Sequence, residues 1–306
     1  MNYYPFGGNA ITNNIILTVG LCVRNAEITI SEAVNSILNQ DFPHELMEII
    51  IVDGSSKDKT LQIIENILKK SDIQKRIFTE NIGLGMARQI VVEKAIGKYI
   101  LWVDGDIVLP KDYARKQVEF MEKNPNVGIA EGKFGLYNKE VIVSFLENIV
   151  AILHSENEKK VPKHHASTEA AIWRTEAIRE AGGFDISIKG AAEDIEAAFR
   201  VRLIGWSLTT TEEVFQEICR LTWKSFWDQY FWYGYGAHYI SHKDSAIIKP
   251  YELLPPAGFI IGIFYSFIAY KYFHRKIVFL LPFHYFFKRV ATSAGFFSAH
   301  IHGYGH

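Results

Sequence analysis

Asp104-Gly105-Asp106 sets two carboxylates on either side of a glycine. In extended backbone, residues two apart project to one face, and the glycine between them lets a ligand approach the main chain. Such a pair suits a hard divalent cation, Mg2+ or Mn2+, that itself grips a diphosphate. A solvated turn reads the same way, so the weight of the triplet comes from its setting. It follows Tyr99 to Val103, an uncharged run with the composition of a buried strand. Asp53 has a similar setting, since it ends the β-branched run Met47 to Val52 and opens Asp53-Gly54-Ser55-Ser56. A turn and helix N-cap account for Ser55, Ser56 and Asp58. Asp53 is either part of that turn or an acceptor for a nucleotide base or ribose.

Two further segments carry charge at element ends. Asn81-Ile82-Gly83-Leu84-Gly85 precedes a helix bearing Arg88, and the free N–H groups of a helix start suit an anion. Arg88 has two readings, a counter-charge for a diphosphate or a partner for Glu93 or Glu119. Glu193-Asp194 opens a later helix, where the dipole favours acids in any protein. No GxxxxGK[ST] or GxGxxG follows a strand, which disfavours a P-loop or dinucleotide fingerprint. His164-His165 lacks the HExxH spacing of a zinc site.

The elements that must position these groups alternate. Strand character in Ile15 to Val23, Met47 to Val52, Ile77 to Thr79 and Tyr99 to Val103 is separated by helical spacing in Ile28 to Asn39, Thr60 to Leu68 and Gly85 to Ala95. That alternation predicts a parallel sheet wound with crossovers, whose ligands sit at the carboxyl ends of the strands. Asp53, Asp104 and Asp106 fall at such ends. Farther on, helices are expected over Lys111 to Lys123, Val141 to His154, Thr175 to Ala181 and Ile195 to Ile204, with Gly205 as a stop and a short strand over Ala170 to Trp173.

Composition divides the chain. The formal net charge of -1 over 306 residues is the sum of -7 in residues 1–218 and +6 from Cys219 onward. The same tail holds 25 of the 42 aromatic residues and no acid after Glu252. At 48% hydrophobic and 22% charged, the chain is too apolar for disorder and too evenly charged for a nucleic-acid partner. Two cysteines, Cys22 and Cys219, exclude a disulfide scaffold. The first residues, MNYYPFGGNAITNN, have no basic start and no apolar stretch, so no signal peptide is expected.

Taken in order, these pieces resemble the inverting nucleotide-sugar transferases of glycosyltransferase family 2. Asn25 sits in the first turn, and Ser36 and Gln40 match the family's S-x-x-x-Q helix end. Asp53 leads D-G-S-x-D-x-T; Asn81, Gly83 and Ala87-Arg88 match N-x-G-x-x-x-A-R; Asp104 and Asp106 form D-x-D. Gly182-Gly183-Phe184-Asp185, Glu193-Asp194 and Gly205-Trp206 match its acceptor half. The resemblance implies an α/β fold of the GT-A type, a mixed, mainly parallel sheet flanked by helices. It also implies a donor half over about 15–110, an acceptor half over about 111–218, and C-terminal aromatic helices from 219. Asp53 and Asp104 would contact the nucleoside, Asp106 would hold Mn2+ or Mg2+, Asp194 would be the general base and Arg88 would assist the leaving group. The donor would be a nucleotide-diphospho-sugar, UDP-linked before GDP-linked, and the acceptor a glycan or lipid-linked glycan. Two departures narrow the acceptor. Val108 stands where polyprenyl-phosphate sugar synthases extend D-x-D to a glutamine, and Trp232 stands where processive synthases carry the arginine of Q-x-x-R-W. Single transfer to a hydroxyl is therefore expected, ahead of polyprenyl-phosphate synthesis or a non-catalytic nucleotide-sugar scaffold.

In the tail, Ala257 to Tyr270 and Ile277 to Phe287 are uncharged apolar runs of 14 and 11 residues, each shorter than the ~20 a spanning helix needs. Counted back to Leu253, the first run becomes long enough to span. A single crossing would put Lys271, Arg275, Lys276, Lys288 and Arg289 on the far side, against the positive-inside tendency. An interfacial or re-entrant pair at the cytoplasmic face of a membrane is expected.

Overall fold

A computed structural model of the chain describes residues 15–136, 142–157, 165–188, 191–218, 222–243 and 253–304. The expected alternation is present: β1 (Leu17–Val23), α1 (Ile30–Leu38), β2 (Met47–Asp53), α2 (Thr60–Leu68), β3 (Gln74–Thr79), α3 (Leu84–Lys94) and β4 (Tyr99–Trp102). Every residue of β1, β2 and β4 is buried. Such strands, covered on both faces, read as unbroken apolar runs. β3 is longer than Ile77 to Thr79 because it begins with the polar residues Gln74, Lys75 and Arg76 at the sheet edge, where Arg76 pairs with Glu48 at 2.6 Å.

The sheet continues through β5 (Ile107–Val108), β6 (Val127–Leu136), β7 (Ile172–Arg174) and β8 (Ser207–Glu217), with α4 (Tyr113–Lys123), α5 (Ile142–Asn157), α6 (Thr175–Glu180) and α7 (Glu193–Leu203) between them. The strand order is β3-β2-β1-β4-β7-β6-β8-β5. β1, β2, β3 and β4 pair in parallel, as do β6 and β8, while β7 runs antiparallel to both β4 and β6. The sheet is thus mixed and mainly parallel, and one edge collects the carboxyl ends of β1, β2 and β4 with the start of β7. Its two faces carry separate cores, one built on Leu17, Ile49 and Tyr113, the other on Trp102, Trp173 and Phe184. Removing one such large side chain costs about 2–5 kcal/mol.

The pattern of the sequence does not reveal β6 and β8. Register shifts at Val127/Ile129 and Glu131/Lys133 break their period of two, and Lys133 and Glu212 pair across them at 2.6 Å.

Three long helices complete the described chain: α8 (Trp223–Lys243), α9 (Pro255–Phe273) and α10 (Leu281–Ile301). Glycine permits their close crossing. A Cβ at Gly234 would lie 1.8 Å from the Thr292 carbonyl oxygen, and one at Gly295 would lie 1.9 Å from that of Phe231. α10 runs on through Lys288-Arg289, where the apolar run ends, because Lys288 Nζ meets Glu147 on α5 at 2.9 Å. Among the described residues one helix, α9, is long and apolar enough to cross a membrane, with 22% of its apolar window buried.

Candidate active site

The site forms at the carboxyl edge of the sheet, and its loops are held by side chains matched in the sequence. Asn25 Oδ1 accepts from Lys57 N at 2.9 Å, while Asn25 N donates to Ser56 Oγ at 2.9 Å. Thr60 Oγ1 accepts from Ala26 N at 2.7 Å and in turn donates to Asp58. These contacts tie the loop after β1 to the loop after β2. Ser36 and Gln40 play the same part on the other side of β1. Leu109 N donates to Ser36 Oγ at 3.2 Å, and Gln40 bonds Pro110 O and Ala114 N at 2.8 Å each. They fasten the segment that follows Asp104-Gly105-Asp106. Gly105 packs closely there, since a Cβ would come within 2.9 Å of the Val23 side chain.

Asp53 is 2% exposed, and its Oδ2 accepts from Ser56 N at 3.0 Å. Its Oδ1 is buried with no hydrogen-bond partner. A buried, unsatisfied carboxylate oxygen costs free energy unless a donor arrives. A ligand N–H or O–H at this edge would satisfy it.

Arg88 joins neither Glu93 nor Glu119. Its guanidinium is buried, donates to Glu193, and lies 3.5 Å from Asp104 Oδ1 and 3.6 Å from Asp194 Oδ2. One cation thus gathers three carboxylates from β4's end and α7's start. Asp194 is further held by Thr168 N at 3.2 Å, Thr168 Oγ1 at 3.3 Å and Ile195 N at 2.8 Å. Ala192, just before this pair, has a φ of 81°, a conformation L residues rarely adopt. Asn25, Ser55 and Ala170 share that left-handed backbone, so four of the five such non-glycine residues among those described border this edge.

Negative charge exceeds positive here. Burial raises the Asp104 carboxyl to about 6, with Asp106 and Asp194 adding to the rise and Arg88 only partly opposing it. Burial also lifts Glu169 well above the usual carboxylate range, and Asp104, Asp194, Glu131 and Asp106 push the same way. An excess of hard oxygen donors suits a divalent cation. Among the described residues no group of three or more His, Cys, Asp or Glu side chains forms a ready-made metal cage. Two carboxylates at one sheet edge fit the binding of Mg2+ through one or two carboxylates plus substrate phosphates.

The structure therefore brings Arg88, Asp104 and Asp194 into one cluster, places Asp106 within its field, and sets Asp53 at the end of β2 on the same edge. The sequence reading missed Thr168 and Glu169. They enter because β7 pairs antiparallel with β4, Leu101 opposite Ile172, so the residues before β7 meet those after β4.

A family model described as Glycosyl transferase family 2 matches residues 18–181, more than half of the chain. The poly(ribitol-phosphate) beta-N-acetylglucosaminyltransferase TarS of Staphylococcus aureus is 33% identical over 101 residues, 33% of this chain and 18% of its own. The putative teichuronic acid biosynthesis glycosyltransferase TuaG of Bacillus subtilis is 40% identical over 101 residues, 32% of this chain and 38% of its own. These matches span less than half the length of either relative. A mannosyltransferase from Pyrobaculum calidifontis, solved with GDP-Man and Mn2+, superposes at a TM-score of 0.60 and 16% identity, covering 98% of this chain and 79% of that one. The fragment 1–349 of S. aureus TarS superposes at 0.53 and 17% identity over 94% and 92%, and the same fragment in complex with UDP at 0.50 and 16%. At these identities the likeness is one of fold. Strand order, the succession of motifs at the sheet edge and the matched segment agree: the chain belongs to glycosyl transferase family 2.

Proposed function

We propose that this protein moves one sugar from a nucleotide-diphospho-sugar to a hydroxyl of a lipid-linked or membrane-proximal glycan, inverting the anomeric carbon. The observation that carries this reading is the pairing of one buried arginine with both Asp104 and Asp194. It puts a carboxylate from the donor side and a carboxylate from the acceptor side on one guanidinium. Asp53 Oδ1 accepts from the nucleoside. Asp106, with Asp104, would hold Mn2+ or Mg2+, which when bound supplies positive charge against the diphosphate. The GDP-Man, Mn2+ and UDP complexes of the fold neighbours support this donor class.

Asp194 acts as the general base. Three donors and Arg88 fix its carboxylate, so its remaining lone pair is directed rather than free to rotate. It takes the proton of the acceptor hydroxyl as that oxygen attacks, which in other enzymes contributes 10²–10⁴-fold. Arg88 keeps this base and Asp104 in register while its charge offsets their repulsion.

Residues 219–306 bring the site to the cytoplasmic face of a membrane. Ile260, Phe264 and Phe267 of α9 and Phe283 of α10 are more than half exposed. Lys271, Arg275 and Lys276 stand at the end of that apolar surface, as suits an anionic bilayer. The transfer reading is tested by turnover of UDP- and GDP-sugars with Mn2+ and with a chelator, in the native protein and in Asp194→Asn. Loss of kcat by about 10²–10⁴-fold with donor affinity retained is expected. Unchanged transfer in Asp194→Asn removes the base, and transfer only to polyprenyl phosphate replaces the acceptor class.

A further inference from the structure

A cavity of about 210 Å3 lies between α5 and α8, beside the carboxylate cluster. Its wall is aromatic where α8 presents Phe226, Tyr230 and Tyr233, and acidic where Glu147, Glu169 and Glu217 reach it. It adjoins the reacting edge, because Glu169 directly follows Thr168, whose N–H and hydroxyl hold Asp194. Burial raises the Tyr233 hydroxyl well above its ordinary range, with Glu169, Glu217 and Asp194 adding to the rise.

Two of these acids differ sharply in their partners. Glu147 is met by Lys288 at 2.9 Å, His284 at 2.8 Å and the Tyr230 hydroxyl. Its charge is balanced inside the protein. Glu169 uses its backbone N–H, which donates to Ser167 Oγ at 3.2 Å, while no described residue donates a hydrogen bond to its carboxylate. Glu169 is half-buried, and a carboxylate there with no protein donor gains from one that reaches it. Its position on the cavity wall means that the donor comes from whatever enters.

A pyranose ring meets both halves of the wall. Its hydroxyls donate to a carboxylate, and its C–H face lies against aromatic rings in the way mostly apolar pockets with a few polar groups hold ligands. Phosphate carries the same sign as Glu169 and Asp194 and is repelled by them. We propose that this cavity receives the acceptor as an uncharged sugar ring, with Glu169 taking hydrogen bonds from its hydroxyls and excluding phosphate. The proposal rests on the transferase reading and makes it narrower. It assigns acceptor choice to a glutamate outside the cation, donor and base positions.

The test uses the full chain in lauryldimethylamine oxide, a detergent with neither sugar nor phosphate, with UDP and Mg2+ present. Binding of methyl β-glucoside, methyl β-galactoside and methyl β-N-acetylglucosaminide is read by saturation-transfer NMR, with inorganic phosphate as competitor. At least one glycoside binds the native protein, and Glu169→Gln and Tyr233→Ala each weaken it tenfold or more. UDP affinity, followed separately by calorimetry, shifts less than twofold in Glu169→Gln. Glycoside binding untouched by both variants, binding of none of the three, or competition by phosphate overturns the proposal. A UDP affinity that falls in step with glycoside binding does so too, because it moves Glu169 to the donor side. Failure of both UDP and GDP to bind the native protein counts instead against the transferase reading, so the two failures are distinct.

Discussion

Glu147 and Asp104 are both partly buried carboxylates, and the protein moves their protons in opposite directions. For Glu147 burial alone would raise the carboxyl, but Lys288, His284 and the Tyr230 hydroxyl together hold it well below the usual carboxylate range. For Asp104 burial is reinforced by Asp106 and Asp194, and Arg88 is shared too widely to compensate, leaving it at about 6. The first arrangement is complete in itself and fastens α5 to α8 and α10. The second is short of positive charge at the edge where a parallel sheet exposes its strand ends. Charges that hold a fold bring their partners with them, while charges kept for chemistry wait for theirs.

The largest change expected from breaking this comparison is at Arg88. Arg88→Met strands Glu193, which is 1% exposed, without its counter-charge and costs about 3–5 kcal/mol of stability in a urea melt. Adding Glu193→Leu restores most of that stability and none of the transfer, because Asp104 and Asp194 remain without their shared cation. Recovery of transfer in the double variant breaks the assignment of Arg88 as their organiser. Glu147→Gln is the matching change in the other region. Lys288 and Glu147 keep 20% and 25% of their side chains exposed, so the loss is smaller, about 1–3 kcal/mol.

The two carboxylates also predict opposite pH trends, without added divalent cation. Glu147, lowered in the folded state, stabilises fully above its unfolded pKa of about 4.5 and loses that contribution as pH falls below it. The melting gap between the native protein and Glu147→Gln therefore closes in acid. Asp104, raised to about 6, costs stability above that pH and costs nothing below its unfolded pKa. Asp104→Asn is then the more stable form at pH 7.5 by about 1–3 kcal/mol, and its advantage vanishes near pH 4. Parallel pH trends in the two variants would show that the two regions share one electrostatic environment.

The parallel half was legible in the sequence because β1, β2 and β4 are covered on both faces, which leaves apolar runs ending at Asp53 and Asp104. Ser36, Gln40 and Asn25 stood out through the family resemblance, and their work is to brace the loops around the site. β6 and β8 were not legible, since glycines, charges and two register shifts erase their alternation. Glu169 carried no local sign. It stands beside Thr168 and before Ala170-Ala171, and only the antiparallel pairing of β7 with β4 brings it to Asp104 and Asp194. The partner of Arg88 was hidden for a similar reason, because Glu193 lies 105 residues away and helical spacing suggested nearer acids.

The most direct test of the central claim is calorimetric titration of the full-length protein with UDP and with GDP, in Mn2+ and in chelator. At least one diphosphate is predicted to bind tenfold or more tightly with the cation, and Asp106→Ala to erase that difference. Equal affinity with and without Mn2+, or a cation effect that survives Asp106→Ala, would contradict the reading of this edge as a cation-dependent diphosphate site.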